Sequence, residues 1–280
     1  MSKLRVLIAV KTYPTLSEKY DELVCTAGFL EDGSWIRLYP IPFRKLKDEN
    51  QYKKWEWIEI DAHKNPKDFR KESFKPVSID TPINHIRTVD TRNNWAERKS
   101  IVLKHVYTDL NQLIAEAKDD SIGTSLAVFK PTRVTDFIWK KTEREWDKKK
   151  IETVYAHQNQ LNLFDTMEGT RQDFKMVQKL PYEFSYKFLS DDGKEHTLMI
   201  EDWELGMLYW NCLNKSISEE EACQKVKHKF FDEMVHERDL YFFLGTTLKY
   251  HKVGLNPFII IGTFYPKKSA ASQQLDIEFT

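Results

Sequence analysis

Residues 22–44, ELVCTAGFLEDGSWIRLYPIPFR, decide the fold of the N-terminal part. Two apolar runs, residues 23–29 and 35–39, flank Glu31-Asp32-Gly33-Ser34. An Asp-Gly step suits the positive φ of a tight turn, so the runs pair as a β-hairpin. Pro40-Ile41-Pro42 ends the second strand, because proline cannot donate to a ladder.

Outward from this hairpin, LRVLIAV at residues 4–10 is a short, β-branched apolar run and predicts a buried strand. WEWIEIDA at 55–62 predicts another. Over residues 95–118 the spacing becomes helical: Ile101, Val102, His105, Val106, Leu110, Leu113, Ile114 and Ala117 trace one stripe. SLAVFKP at 125–131 is a strand stopped by proline, and residues 140–157 are charged enough for a solvated helix. The polar stretch to residue 178, Met167-Glu168-Gly169 included, has the composition of a linker or mobile loop. Beyond it, YEFSYKFL and HTLMI form a hairpin about Asp191-Asp192-Gly193. Asp202 caps a helix carrying Trp203, Met207, Trp210 and Leu213, and Ser218 with Glu221 is a capping box opening a second. LYFFLGTT and the nearly all-apolar PFIIIGTFY are the last strands. The expected architecture is α+β: a β-rich N-terminal unit (small barrel or curved antiparallel sheet) with a helical extension over 1–150, a linker or mobile loop over 151–178, and a mixed α+β unit over 179–280.

Composition narrows the class. Apolar residues make up 41% and aromatics 13% of 280 residues, enough for a real core, so disorder is excluded for most of the chain. Cys25, Cys212 and Cys223 are widely spaced with no CxxC pair, which argues against a zinc ribbon or disulfide framework and for a cytoplasmic location. The N-terminal apolar run is too short, and interrupted by Arg5, for an export signal or a membrane span. Lys+Arg and Asp+Glu balance at 43 each, yet residues 1–150 hold 29 against 23 and residues 151–280 hold 14 against 20. P-loop, dinucleotide-binding, serine-hydrolase and zincin motifs are absent.

Three constellations carry chemistry. Residues 37–104 hold 16 Lys+Arg against 10 Asp+Glu, interleaved with aromatics that include Tyr39, Trp55 and Trp95. Cations meet phosphates and aromatic faces stack on exposed bases, so Arg37, Arg44, Lys45, Arg70 and Lys71 are the expected nucleic-acid contacts. The second constellation is Glu201 with Asp202, carboxylates between a strand and a helix start, suited to acid–base work or, in a nuclease, to Mg²⁺; no other cofactor is expected. His251, past the strand that ends in Thr246-Thr247, is a second candidate for proton transfer.

The third is Gln160-Leu161-Asn162-Leu163-Phe164-Asp165, which resembles the bacterial sliding-clamp-binding motif, with Asn162 where a small or acidic residue is usual. The resemblance implies an extended, exposed segment in which Gln160 bonds at a rim while Leu161, Leu163 and Phe164 enter an apolar pocket. Residues 274–279, QLDIEF, are a poorer second match. As a whole, through KTYPTLSEKYDELVCTAGF, GSWIRLYPIPFR, TSLAVFKP, MIEDWELGMLYW and NPFIIIGTFYP, the chain resembles an uncharacterised prokaryotic family, a resemblance that implies no activity. The readings that follow are a nucleic-acid-associated factor, in genome maintenance or phage defence and with a sliding clamp as a partner; a carboxylate- or metal-dependent enzyme on nucleic acid, of nuclease or base-excision type; and a protein-interaction module without nucleic acid.

Overall fold

The computed structural model describes residues 2–17, 21–164 and 176–268. It is α+β, as expected, and begins with a closed barrel. Strands β1 (Ser2–Lys11), β2 (Thr15–Ser17), β3 (Asp21–Phe29) and β4 (Trp35–Ile41) lead into β5 (Glu56–Lys64), β6 (Ser73–Pro76) and β7 (Ile83–Thr88). The order β1-β3-β4-β6-β5 closes on itself because β1 also pairs with β5, while β2 and β7 are outriders. Closure removes the edges that a five-stranded open sheet would leave unpaired.

The hairpin of residues 22–44 is present as β3 and β4, with Gly33 at φ 87° in its turn. Alternation sends Val6 and Ile8, Val24, Ile36 and Leu38, and Ile58 and Ile60 into the barrel. The intervening Leu7, Ala9, Ala27, Phe29 and Trp57 face outward and are equally buried, against Leu126, Val128, Phe243, Ile261 and Phe264 of the C-terminal part. The two parts therefore share a core. At Gly28 this packing leaves no room: an added Cβ would sit 2.0 Å from the Leu7 carbonyl oxygen.

Next come α1 (Arg92–Val102), β8 (Val106–Tyr107), α2 (Leu110–Lys118) and β9 (Leu126–Phe129). The helical stripe of 95–118 is thus two helices, parted where β8 pairs parallel to β9. Sheet pairing outweighs helical spacing there, and Asp109 caps the second helix by accepting from the Asn111 and Gln112 N–H groups. Unexpectedly, Arg133–Lys141 is a strand, β10, paired antiparallel to β11 (Tyr182–Leu189), which in turn pairs with β12 (Glu195–Met199). Lys148–Phe164 is a helix, α3, so the linker reading does not hold over those residues; Met167-Glu168-Gly169 and residues 274–279 lie outside the described residues.

Asp202 caps α4 (Trp203–Leu213) as expected, and Ser218 caps α5 (Glu219–Lys227) by accepting from the Glu221 N–H at 3.1 Å. Strands β13 (Tyr241–Thr246) and β14 (Phe258–Phe264) complete a four-stranded sheet, β14-β13-β9-β8. Residues 260 and 261 of β14 are buried, as its apolar run requires.

Candidate functional site

The period of β4 explains the site. Ile36 and Leu38 point into the barrel, so Arg37 between them points out, toward the junction with the C-terminal sheet. There it is buried, and its Nη1 donates to Ser73 Oγ and Ser125 Oγ, both at 3.0 Å, while Nη2 donates to the Ser125 carbonyl at 3.2 Å. Ser125 passes the charge on: its Oγ–H donates to Glu72 Oε2 at 2.8 Å and its N–H to Glu72 Oε1 at 3.1 Å. Among the described residues no carboxylate forms an ion pair with Arg37; Glu72 is reached through this serine.

Arg70 lies beside it, buried as well. Its Nε and Nη2 clasp Asp68 at 2.8 and 2.6 Å, and Nη1 donates to the Thr246 carbonyl of β13. Cys25 comes from β3 at the register shift between Val24 and Thr26, which turns its side chain toward the two arginines. Burial pushes the Cys25 thiol pKa up, against the pull of Arg37 and Arg70.

Cys25, Arg37, Asp68 and Arg70 line a cavity of about 520 Å³ between barrel and C-terminal sheet. Glu201 reaches it from the segment between β12 and α4, Thr246 and Thr247 from the end of β13, Asn65 and Lys67 from the loop after β5, and Lys75 from β6. Burial raises the Glu201 pKa, and Glu183 adds to it.

The expected acid pair is divided. Asp202, the neighbour of Glu201, does not line the cavity. Its Oδ1 accepts from the Glu204 N–H at 2.6 Å, and its Oδ2 faces Lys54 Nζ of the barrel at 3.3 Å. Lys54 also meets Glu204 at 2.9 Å. Burial acts against the charge on Lys54, but the two carboxylates outweigh it and push its pKa up. Asp202 is placed as a helix cap and ion-pair partner. His251 is wholly buried: its Nδ1 lies 2.8 Å from Thr246 Oγ1, and burial, with Lys252 and Arg70 nearby, pushes its pKa down to about 4.

The five expected cations do not form one basic face. Arg37 and Arg70 line the cavity, whereas Arg44 bonds the buried Glu22 at 2.6 Å and Lys45 pairs with the buried Asp21. Lys71 alone of the five is strongly exposed, and it donates to a backbone carbonyl, that of Ser121. The reason is topological: strand alternation and buried carboxylates take up charges that composition alone leaves at the surface. The backbone of Gln160, Leu161, Leu163 and Phe164 is the end of α3, helical where the clamp resemblance implied an extended segment. Cys25, Asp68, Asn65, Lys67, Lys75 and Thr246 were not among the expected site residues. Cys25 carried a faint signal as a polarisable group inside an apolar strand; the others come together only through the barrel.

Two family models divide the chain. A domain of unknown function (DUF8758) matches residues 2–104, and a second (DUF8757) matches residues 106–278, more than half of the length. The chain belongs to the DUF8757 family. Its DUF8757 part supplies Glu201, Thr246 and Thr247 to the cavity, and the DUF8758 match supplies Cys25, Arg37 and Arg70. No curated protein matches the chain. A solved structure described as a murine DNA binding protein bound with ds DNA is similar over 96% of this chain and 97% of its own, at 10% identity and TM-score 0.31, too loose a likeness to transfer a fold. Among the described residues no helix is long and apolar enough to cross a membrane, and no three His, Cys, Asp or Glu side chains are grouped to hold a metal ion.

Proposed function

We propose that the protein binds nucleic acid by admitting one nucleotide, unpaired or turned out of a duplex, into the cavity at the junction. The observation that carries this reading is Arg37, a buried guanidinium in a cavity wall whose charge is offset through a serine. Arg70 stands beside it, and Lys67 and Lys75 add cations from the barrel, against Asp68, which Arg70 already neutralises, and Glu201. About 520 Å³ falls within the roughly 300–1,000 Å³ of small-molecule sites and suits a base with its sugar. Glu201 presents a carboxyl group to the cavity, where it can meet a nucleobase edge, and Tyr39 adds an aromatic ring to the lining. Taking a base out of its stack is how proteins reach one nucleotide of a strand.

Anisotropy titrations of labelled single- and double-stranded DNA and RNA test the reading. Binding is expected to weaken steeply with salt, and Lys67→Glu and Lys75→Glu should each weaken it and lower the salt slope by about one unit. Absence of binding at about 50 mM salt, or indifference to salt, overturns it.

A second reading, of an enzyme on the same ligand, is favoured by one observation: Glu201 combines burial, a raised pKa and a place in the cavity wall, the marks of a general acid. Turnover that survives in Glu201→Gln excludes it.

A further inference from the structure

Arg70 separates the main cavity from a second one of about 360 Å³, lined also by Phe69, Lys71, Asp120, His251 and Lys252. Arg70, Lys71 and His251 were candidates in the sequence, but no local pattern groups them, since the lining comes from the loop before β6, the loop after α2 and the loop after β13.

The telling group is His251. Its ring is fully buried in the cavity wall, tilted against Phe69 at 5.4 Å between centroids, and among the described residues its Nε2 has no hydrogen-bond partner. Thr246 Oγ1 lies on the other side, within hydrogen-bond distance of Nδ1. With Thr246 donating to Nδ1, the imidazole proton sits on Nε2. In that tautomer a buried N–H lacks an acceptor, and the ring that carries it belongs to the cavity lining. Around it stand cations: Arg70, with three of its five N–H groups engaged by Asp68 and Thr246, together with Lys71 and Lys252. Asp120 is the one carboxylate in the lining; it pairs with Lys252 at 3.0 Å and is itself almost fully exposed. The other charges acting on His251 are Glu72, which favours its protonation, and Arg37, which opposes it.

We propose that this second cavity is an oxyanion site that takes a phosphate group, with the His251 Nε2–H and Arg70 as its buried donors and Lys71 and Lys252 closing over it. The proposal does not require that the main cavity hold a nucleotide, but the shared Arg70 would let one phosphorylated ligand occupy both. The phosphate belongs either to a nucleic-acid backbone or to a free anion.

Inorganic phosphate, sulfate and a dinucleoside monophosphate are titrated into the full chain while the His251 imidazole is followed by ¹⁵N-detected NMR. Saturable binding with displacement of the His251 signals is expected, with the imidazole pKa raised while sulfate, whose charge is constant, is bound. Lys71→Ala and Lys252→Ala, both at exposed or half-exposed positions, should fold and each weaken binding by roughly tenfold. Tighter binding of the dinucleotide assigns the site to a backbone and tighter binding of the inorganic ions to a free anion; either supports an oxyanion site. Unmoved His251 signals, or affinity unchanged in both lysine variants, overturn it. Oligonucleotide binding that persists while phosphate fails leaves the nucleotide reading standing and this site refuted. Phosphate binding without any oligonucleotide binding does the reverse.

Discussion

Arg37 of β4 and Ser125 at the head of β9 stand 88 positions apart and share two hydrogen bonds, at 3.0 and 3.2 Å. Ser125 also bridges Arg37 to Glu72. Ser125→Ala leaves a buried cation and a carboxylate uncoupled, so it should lower stability by about 1–3 kcal/mol. Urea unfolding should show a reduced midpoint with an unchanged slope.

Glycine at 28 is enforced by the Leu7 carbonyl, which a Cβ would meet at 2.0 Å. Backbone cannot step aside cheaply, and Gly28→Ala should cost on the order of 3 kcal/mol. Gly193 is a useful contrast: its φ is 72°, and a Cβ there meets nothing within 4 Å. Gly193→Ala should cost only about 1 kcal/mol, from backbone conformation alone. Equal losses in thermal denaturation would refute this account of the barrel seam.

His251 sets a pH dependence. Its folded pKa, about 4, is below the ordinary histidine value near 6.5, so between these the unfolded chain binds the extra proton. Stability must then rise with pH across that window and be lost as pH falls through it, by roughly 3 kcal/mol in total. His251→Gln should flatten that part of the stability profile; a slope that survives in the variant rejects the assignment.

Glu201 and Asp202 should part company under mutation. Glu201→Gln removes a charge that burial disfavours, so stability should stay level or rise while ligand affinity changes. Lys54→Met strips a partner from the buried Asp202 and should destabilise by about 3–5 kcal/mol without altering the cavity lining. Calorimetry and binding measured on both variants check the division; loss of binding in a still-folded Lys54→Met would contradict it.

Local chemistry made much of the fold legible. The Asp32-Gly33 turn, the Asp202 and Ser218 caps and the apolar run of β14 each act within a few residues, and each stands where local spacing predicts it. What failed was non-local. Residues 106–107 become a strand only because β9 lies alongside, and the charged β10 is a strand only because β11 pairs with it. The site divided in the same way. Arg37, Arg70 and Glu201 were recognisable as candidates, but whether a cation faces water or a junction depends on the partner sheet. Composition does not encode that, so Lys45 looked like a phosphate contact although the buried Asp21 already holds it.

The common core of Phe29, Trp57, Val128 and Phe264 straddles the boundary between the two matched families, and so do the cavity walls. A molecule seated there is in effect a staple. To separate the halves is to expel it, so bound ligand resists their parting by an amount that grows with the logarithm of its concentration. Unfolding temperature therefore reports occupancy whatever the ligand's chemistry: the compound class that raises it is the one the junction was shaped to hold.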